Sequence, residues 1–157
     1  MIVYSRKIIQ FVKEIKGIAR DVLSREAQLK VTENRFYDQR QKSSYPIKVV
    51  VYNNKSMLGY FDPQFYELGF HECLMHTSQE ELHHVIRHEL AHYLTFINHG
   101  GAVQPHGAEF RDCCKQMGWG EKVYRAASCL DGAKEAAAHE ESGIFRDRPC
   151  PRSCRRT

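Results

Sequence analysis

Thr77 and Ser78 each have a glutamate three residues downstream, Glu80 and Glu81, and beyond them Leu82, Val85, Ile86, Leu90, Tyr93, Leu94 and Ile97 recur at steps of three and four. The first pattern is a capping box, in which hydroxyl and carboxylate satisfy the free amides of a helix start. The second is an apolar stripe of about four turns. Together they predict a long amphipathic helix beginning at Thr77 or Ser78. Such a helix is stable only with its stripe buried, so the rest of the chain must fold to cover it.

The same helix carries His88-Glu89-Leu90-Ala91-His92. Residues four apart share a helix face, so both imidazoles can bind one Zn²⁺, with Glu89 beside the position left for water. At about 100° per residue, His88 and His92 lie roughly 130° from the centre of the stripe, which makes them poor core histidines. Glu89 falls nearer the stripe's edge, where partial burial would raise its pKa towards that of a useful base. The pair His84 and His88 has the same spacing but lacks the carboxylate, since residue 85 is Val85. It could bind a metal without supplying a base.

A catalytic zinc usually has a third protein ligand, and His99, His106 and Glu109 are the downstream candidates. The spacing that places Gly three and His six residues after the second histidine is absent, because those positions are Thr95 and Asn98. His99 precedes Gly100-Gly101 and reads as a cation at the helix C-terminus, with Gly100 taking the left-handed conformation that ends the helix. His106 follows Pro105 and opens a second amphipathic segment through Phe110, Cys113, Cys114 and Met117. A loop over 100–105 would return that helix against the first and bring His106 towards the pair.

His88-Glu-Leu-Ala-His92, followed by His106-Gly107-Ala108-Glu109-Phe110 and then Met117-Gly118, resembles the SprT-like domain of bacterial SprT proteins and of the eukaryotic Spartan proteases, whose pattern is HExxH with a downstream HGxxF. The resemblance runs over roughly residues 1–120. It implies Zn²⁺ on His88, His92 and His106, with Glu89 as general base. It also implies an α+β fold: a compact zincin-like domain with a leading helix, a small β-sheet, the HExxH helix and a second short helix. In this family the strand before the HExxH helix borders the cleft, and an extended substrate could add to such an edge.

The remaining segments suit that architecture. Ile8, Phe11, Val12, Ile15, Ile18, Ala19, Val22 and Leu23 mark an amphipathic helix between residues 8 and 29. Residues 47–52 are dense in β-branched side chains and end at Asn53-Asn54-Lys55, so they read as a strand and turn, with 57–61 pairing back as a hairpin. Asp62-Pro63 is the next break, and 65–75 contains a further strand leading to the HExxH helix.

Length supports one domain, placed at 1–120, with 121–157 a helical extension and basic tail. Residues 133–141 suit a short helix, and the Arg- and Pro-rich composition beyond Ser142-Gly143 reads as disorder. Many SprT proteins continue into a zinc ribbon; here only Cys150 and Cys154 follow Cys129, too few for a four-ligand structural site. No apolar run is long enough to cross a bilayer, and the N-terminus intersperses Arg6, Lys7, Lys13 and Lys16, unlike a secretory signal. A cytoplasmic protein with reduced thiols is expected, Cys113 and Cys114 being adjacent on one helix. The net charge of +4 hides an asymmetry: residues 1–55 hold 12 Lys/Arg against 5 Asp/Glu, residues 56–144 hold 6 against 13, and residues 145–157 hold 5 against 1. Basic ends can attract phosphate backbones, and Spartan-type relatives act on DNA-attached proteins, although alternating charges on a helix are equally those of a solvated face.

The resulting expectation is a zinc-dependent endopeptidase with a protein or peptide substrate, DNA as a further partner and no membrane. A metal-bound nucleic-acid-binding regulator without catalysis, or a zinc hydrolase of RNA or small molecules, are the other readings. Tyr93, His71 and His76 are within plausible reach of a developing oxyanion, and none is assigned that role.

Overall fold

The computed structural model describes residues 5–126; the expected helix at 133–141, the basic tail, Cys129, Cys150 and Cys154 lie outside the described residues. The fold is α+β. Helix α1, Arg6–Asp21, starts where the Ser5 hydroxyl accepts a hydrogen bond from the Ile8 amide. Phe11, Ile15 and Ala19 form its buried face. It runs into a π-helical turn, Val22–Glu26, closed by the Ala27 amide on the Val22 carbonyl. This wider turn ends with Glu26 facing Arg87 and Trp119.

Two three-stranded sheets follow. Strands β1 (Lys30–Val31), β2 (Arg35–Asp38) and β3 (Ser43–Pro46) make an antiparallel meander that sequence reasoning missed. Its strands are short and polar; β2 alternates in burial, with Phe36 and Asp38 inside and Arg35 and Tyr37 exposed, but an inward aspartate and an outward tyrosine hide that alternation from the sequence. The second sheet comprises β4 (Lys48–Tyr52), β5 (Gly59–Asp62) and β6 (Glu67–His71) in the order β4-β6-β5.

That order corrects two expectations. Segment 57–61 does not pair back on β4, because β6 lies between them, parallel to β4 and antiparallel to β5. The strand before the HExxH helix is therefore the middle of its sheet and offers no edge; the edges are β4 and β5. Leu68 and Phe70 in β6 are fully buried, so β6 takes the sheltered position, while the Val-rich β4 is only half-buried along much of its length. A run of β-branched residues identified a strand but could not tell a central one from an edge.

Helix α2, Gln79–His99, is capped by the Ser78 hydroxyl, which accepts from the Glu81 amide at 3.1 Å. Its stripe packs on the sheets. Tyr93 joins them: its ring stacks on Phe61 of β5 at 4.5 Å, meets Phe36 of β2 edge-on at 5.2 Å, and its hydroxyl donates to the Pro46 carbonyl at 2.7 Å. Gly100 ends the helix at φ 75°, a left-handed value that a side chain would strain. After a 3₁₀ turn, Gly100–Ala102, come α3 (Ala108–Gln116) and α4 (Glu121–Tyr124). Both pack on α2, on the side away from the stripe, and α4 lies past residue 120. No described helix is long and apolar enough to cross a membrane.

Candidate metal centre

His88, His92 and His106 converge, each offering one ring nitrogen, with all three atoms within 4.8 Å of one another. The His106 Nε2 lies 3.1 Å from the Nε2 of His88 and 3.1 Å from that of His92. Nitrogens that share one tetrahedral metal ion at about 2.05 Å stand roughly 3.3 Å apart, close to the two separations from His106, so this group could hold a metal ion. His88 and His92 come from adjacent turns of α2, while His106 lies in the turn before α3, where the Gly107 amide bonds the Gln104 carbonyl at 3.1 Å.

The tautomer also fits. His88 Nδ1 is 2.8 Å from the Val123 carbonyl. A carbonyl only accepts, so Nδ1 carries the proton and Nε2 keeps its lone pair for the cluster. Burial holds the His88 pKa down at about 4, with the Val123 carbonyl opposing the shift and His106 adding to it. Burial, then His88 and His106, holds His92 well below the usual histidine value, and burial lowers His106. Three neutral imidazoles at neutral pH are what metal binding requires.

His88 and His92 do project from the side opposite the stripe, yet that side is covered too: they are only 2% and 5% exposed, and Glu89 is 0% exposed rather than partly buried. The face opposite the stripe is roofed by α3 and α4. Phe110 of α3, itself fully buried, packs its ring against the imidazoles of His88, His92 and His106 at 5.0, 4.4 and 5.2 Å. Helical periodicity reports where one helix is apolar, and a second layer can still cover its polar side.

Neither carboxylate oxygen of Glu89 has a hydrogen-bond partner among the described residues, and desolvation pushes its pKa up to about 8. An unpartnered buried carboxylate is costly to retain and calls for a functional account. Gly59 of β5 lies directly against it: a Cβ at position 59 would stand 3.0 Å from Glu89 Cγ and 3.2 Å from Oε2. Sequence reasoning missed Gly59, since nothing local ties it to a residue on another element.

The other candidates stand apart from the cluster. His84 is half-buried on α2, and His99 is exposed at its end, as a capping residue would be. Glu109, in the first turn of α3, lines a separate hollow of about 310 Å³ with Thr95 and Arg40. The Tyr93 hydroxyl is engaged with Pro46; His71 Nδ1 accepts from the Cys73 amide at 3.0 Å, and His76 is exposed at the end of the 3₁₀ helix Glu72–His76. Beside His92 a hollow of about 120 Å³ is lined by Phe61, Phe96, Val103 and Pro105.

A family model described as the SprT-like family matches residues 26–129. The chain belongs to the SprT-like family. The match takes in α2, the three histidines and α4, and leaves α1 ahead of it. No curated protein matches this SprT-like chain. Among solved structures it is similar to the crystal structure of the metallopeptidase zymogen of Pyrococcus abyssi abylysin, at 15% sequence identity and a TM-score of 0.48, over 82% of this chain and 95% of that one.

Proposed function

We propose that the chain is a zinc-dependent endopeptidase of the SprT-like type, with His88, His92 and His106 holding the ion and Glu89 acting as general base. The observation that carries this reading is the pairing of three converging imidazole nitrogens with a fully buried, unpartnered carboxylate on the same helix turn. Bound there, zinc would supply a positive charge that acidifies water and polarises a carbonyl. Glu89 takes the proton from the attacking water and passes it to the leaving amine, and its buried, unpartnered carboxylate is free to do both. The edge beside Glu89 is that of β5, so an extended peptide would pair there through its main chain. The hollow beside His92 would take an apolar side chain next to the scissile bond.

Cleavage of an unfolded protein substrate by the zinc-loaded chain tests this reading. Glu89→Gln should keep about one zinc per chain and lose cleavage by about 10²-fold or more, the usual worth of a general base. A Glu89→Gln variant that cuts like the wild type would sink the mechanism.

DNA-associated proteins are proposed as the substrates. In support, Lys13, Lys16 and Arg20 recur along one face of α1 and line a groove of about 510 Å³ with Val49, Val50 and Val51. It shares no lining residue with the histidine cluster.

A further inference from the structure

The metal ligands are secured by a segment that contains none of them. Helix α4 has four residues, far fewer than the roughly 12 a helix needs to persist alone, so its position depends on its anchors. At its start, the buried Trp119 donates its indole N–H to Glu26, which also accepts two hydrogen bonds from Arg87 at 2.9 Å each. Arg87 directly precedes His88 in the chain. The Val123 side chain is buried, and its carbonyl accepts from the Ala126 amide at 3.1 Å as well as from His88 Nδ1.

Tyr124 completes the arrangement. Its hydroxyl accepts a hydrogen bond from Arg111 Nη2 at 2.7 Å and donates to the His106 carbonyl at 3.1 Å. A tyrosine hydroxyl has one proton, and with the charged Arg111 donor occupying the oxygen, that proton is directed at His106. The guanidinium also sits 4.9 Å from the Tyr124 ring, and the ring packs on Phe110. His106 precedes α3, so its carbonyl takes no part in that helix's ladder. Neighbouring residues of one short segment therefore hold two ligands from different elements: Val123 orients the His88 ring, and Tyr124 fixes the main chain of His106.

We propose that Tyr124 is a positioning residue for the metal centre, its hydroxyl tying His106 to the 119–124 segment so that this segment sets the affinity for zinc. The inference rests on the three-histidine reading above. Groups that orient metal ligands typically contribute 10- to 100-fold in affinity. Tyr124 acts through the ligand's backbone rather than its ring, which places the expected effect of Tyr124→Phe near tenfold.

The test is competition for zinc between a chromophoric chelator and the purified chain, as wild type, Tyr124→Phe and His106→Ala, with the melting temperature of each metal-free chain recorded alongside. The expected result is about tenfold weaker zinc binding in Tyr124→Phe with the metal-free melting temperature lowered by no more than a few degrees, the usual cost of one lost hydrogen bond, and a far larger loss of zinc affinity in His106→Ala. Wild-type affinity in Tyr124→Phe, with zinc still lost in His106→Ala, overturns the proposal and leaves the three-histidine reading standing. Wild-type affinity in His106→Ala overturns both. Should Tyr124→Phe fold poorly, Arg111→Met, which leaves the hydroxyl but frees its orientation, gives the second measurement. The visible bands of the cobalt-loaded chain should weaken or shift in that variant, and identical bands overturn the proposal.

Discussion

Gly59→Ala probes the placement of Glu89 without touching a metal ligand. The added Cβ would stand 3.0 Å from Glu89 Cγ, 3.2 Å from Oε2 and 3.2 Å from Val85 Cγ1. Carbon atoms rest comfortably at about 3.5–4.0 Å, so something must yield by roughly half an ångström. Helix α2 is held by Leu90 and Tyr93, both fully buried, which leaves the Glu89 side chain to move. Overpacking of this kind costs about 1–3 kcal/mol, offset by the roughly 0.4–1 kcal/mol that alanine gains by restricting the unfolded chain. Position 59 has no left-handed backbone to penalise alanine. A net loss of about 1 kcal/mol corresponds to a fall of roughly 3–6 °C in Tm for a domain of this size. The catalytic effect should be larger in proportion: a misplacement of about 1 Å can cost 10²-fold, so half of that predicts about a tenfold fall in kcat. Thermal melts, zinc stoichiometry and turnover on a labelled unfolded substrate would be measured together. Unchanged zinc with slower turnover is the expected pattern. Wild-type turnover and Tm would refute the argument that contact with β5 sets where the carboxylate stands.

Two further outcomes are expected. Glu26 is held below the ordinary glutamate value of 4.5, first by its hydrogen bonds from Arg87 and then by Trp119, with burial opposing them. A lowered folded-state pKa contributes stability above the unfolded value and loses it as pH falls through the folded one. Glu26→Gln should therefore cost about 1–2 kcal/mol in urea unfolding at pH 7, after allowance for its partial exposure, and nothing once Glu26 itself is protonated; a gap that persists there would show that the charge is not what matters. For the groove on α1, Lys13→Glu with Lys16→Glu should weaken binding to a short DNA duplex about tenfold or more at low salt, read by fluorescence anisotropy. Equal affinity would remove that groove as the DNA contact.

The sequence made the local features legible. Capping at Ser78, the stripe of α2, the left-handed Gly100 and the amphipathic α1 follow from neighbours within four residues, and the structure has each of them. The spacing of His88 and His92 is local in the same sense. His106 was legible through the loop before it, the helix after it and the HGxxF pattern of the family resemblance. Features formed between distant elements were not legible. The burial of Glu89 depends on Gly59, thirty residues upstream, and the burial of the histidine face on Phe110 and Val123. The pairing order of β4, β5 and β6 follows from which strand needs both edges covered, a property of the assembled core. The polar strands of the first sheet carried too little apolar alternation to be seen.

The order β4-β6-β5 also bears on how the chain reaches its native state. β4 and β5 are made first and are joined by a short connection, so the quickest pairing open to them is a hairpin that the native sheet does not contain. They must separate, or never meet, for β6 to enter between them. Only then does β5 become the outer strand that sets Gly59 against Glu89. A partly folded chain would thus lack the wall that aligns its base, even with the histidines of α2 already in helical register. For a proposed peptidase this makes completion of the sheet a precondition for cutting.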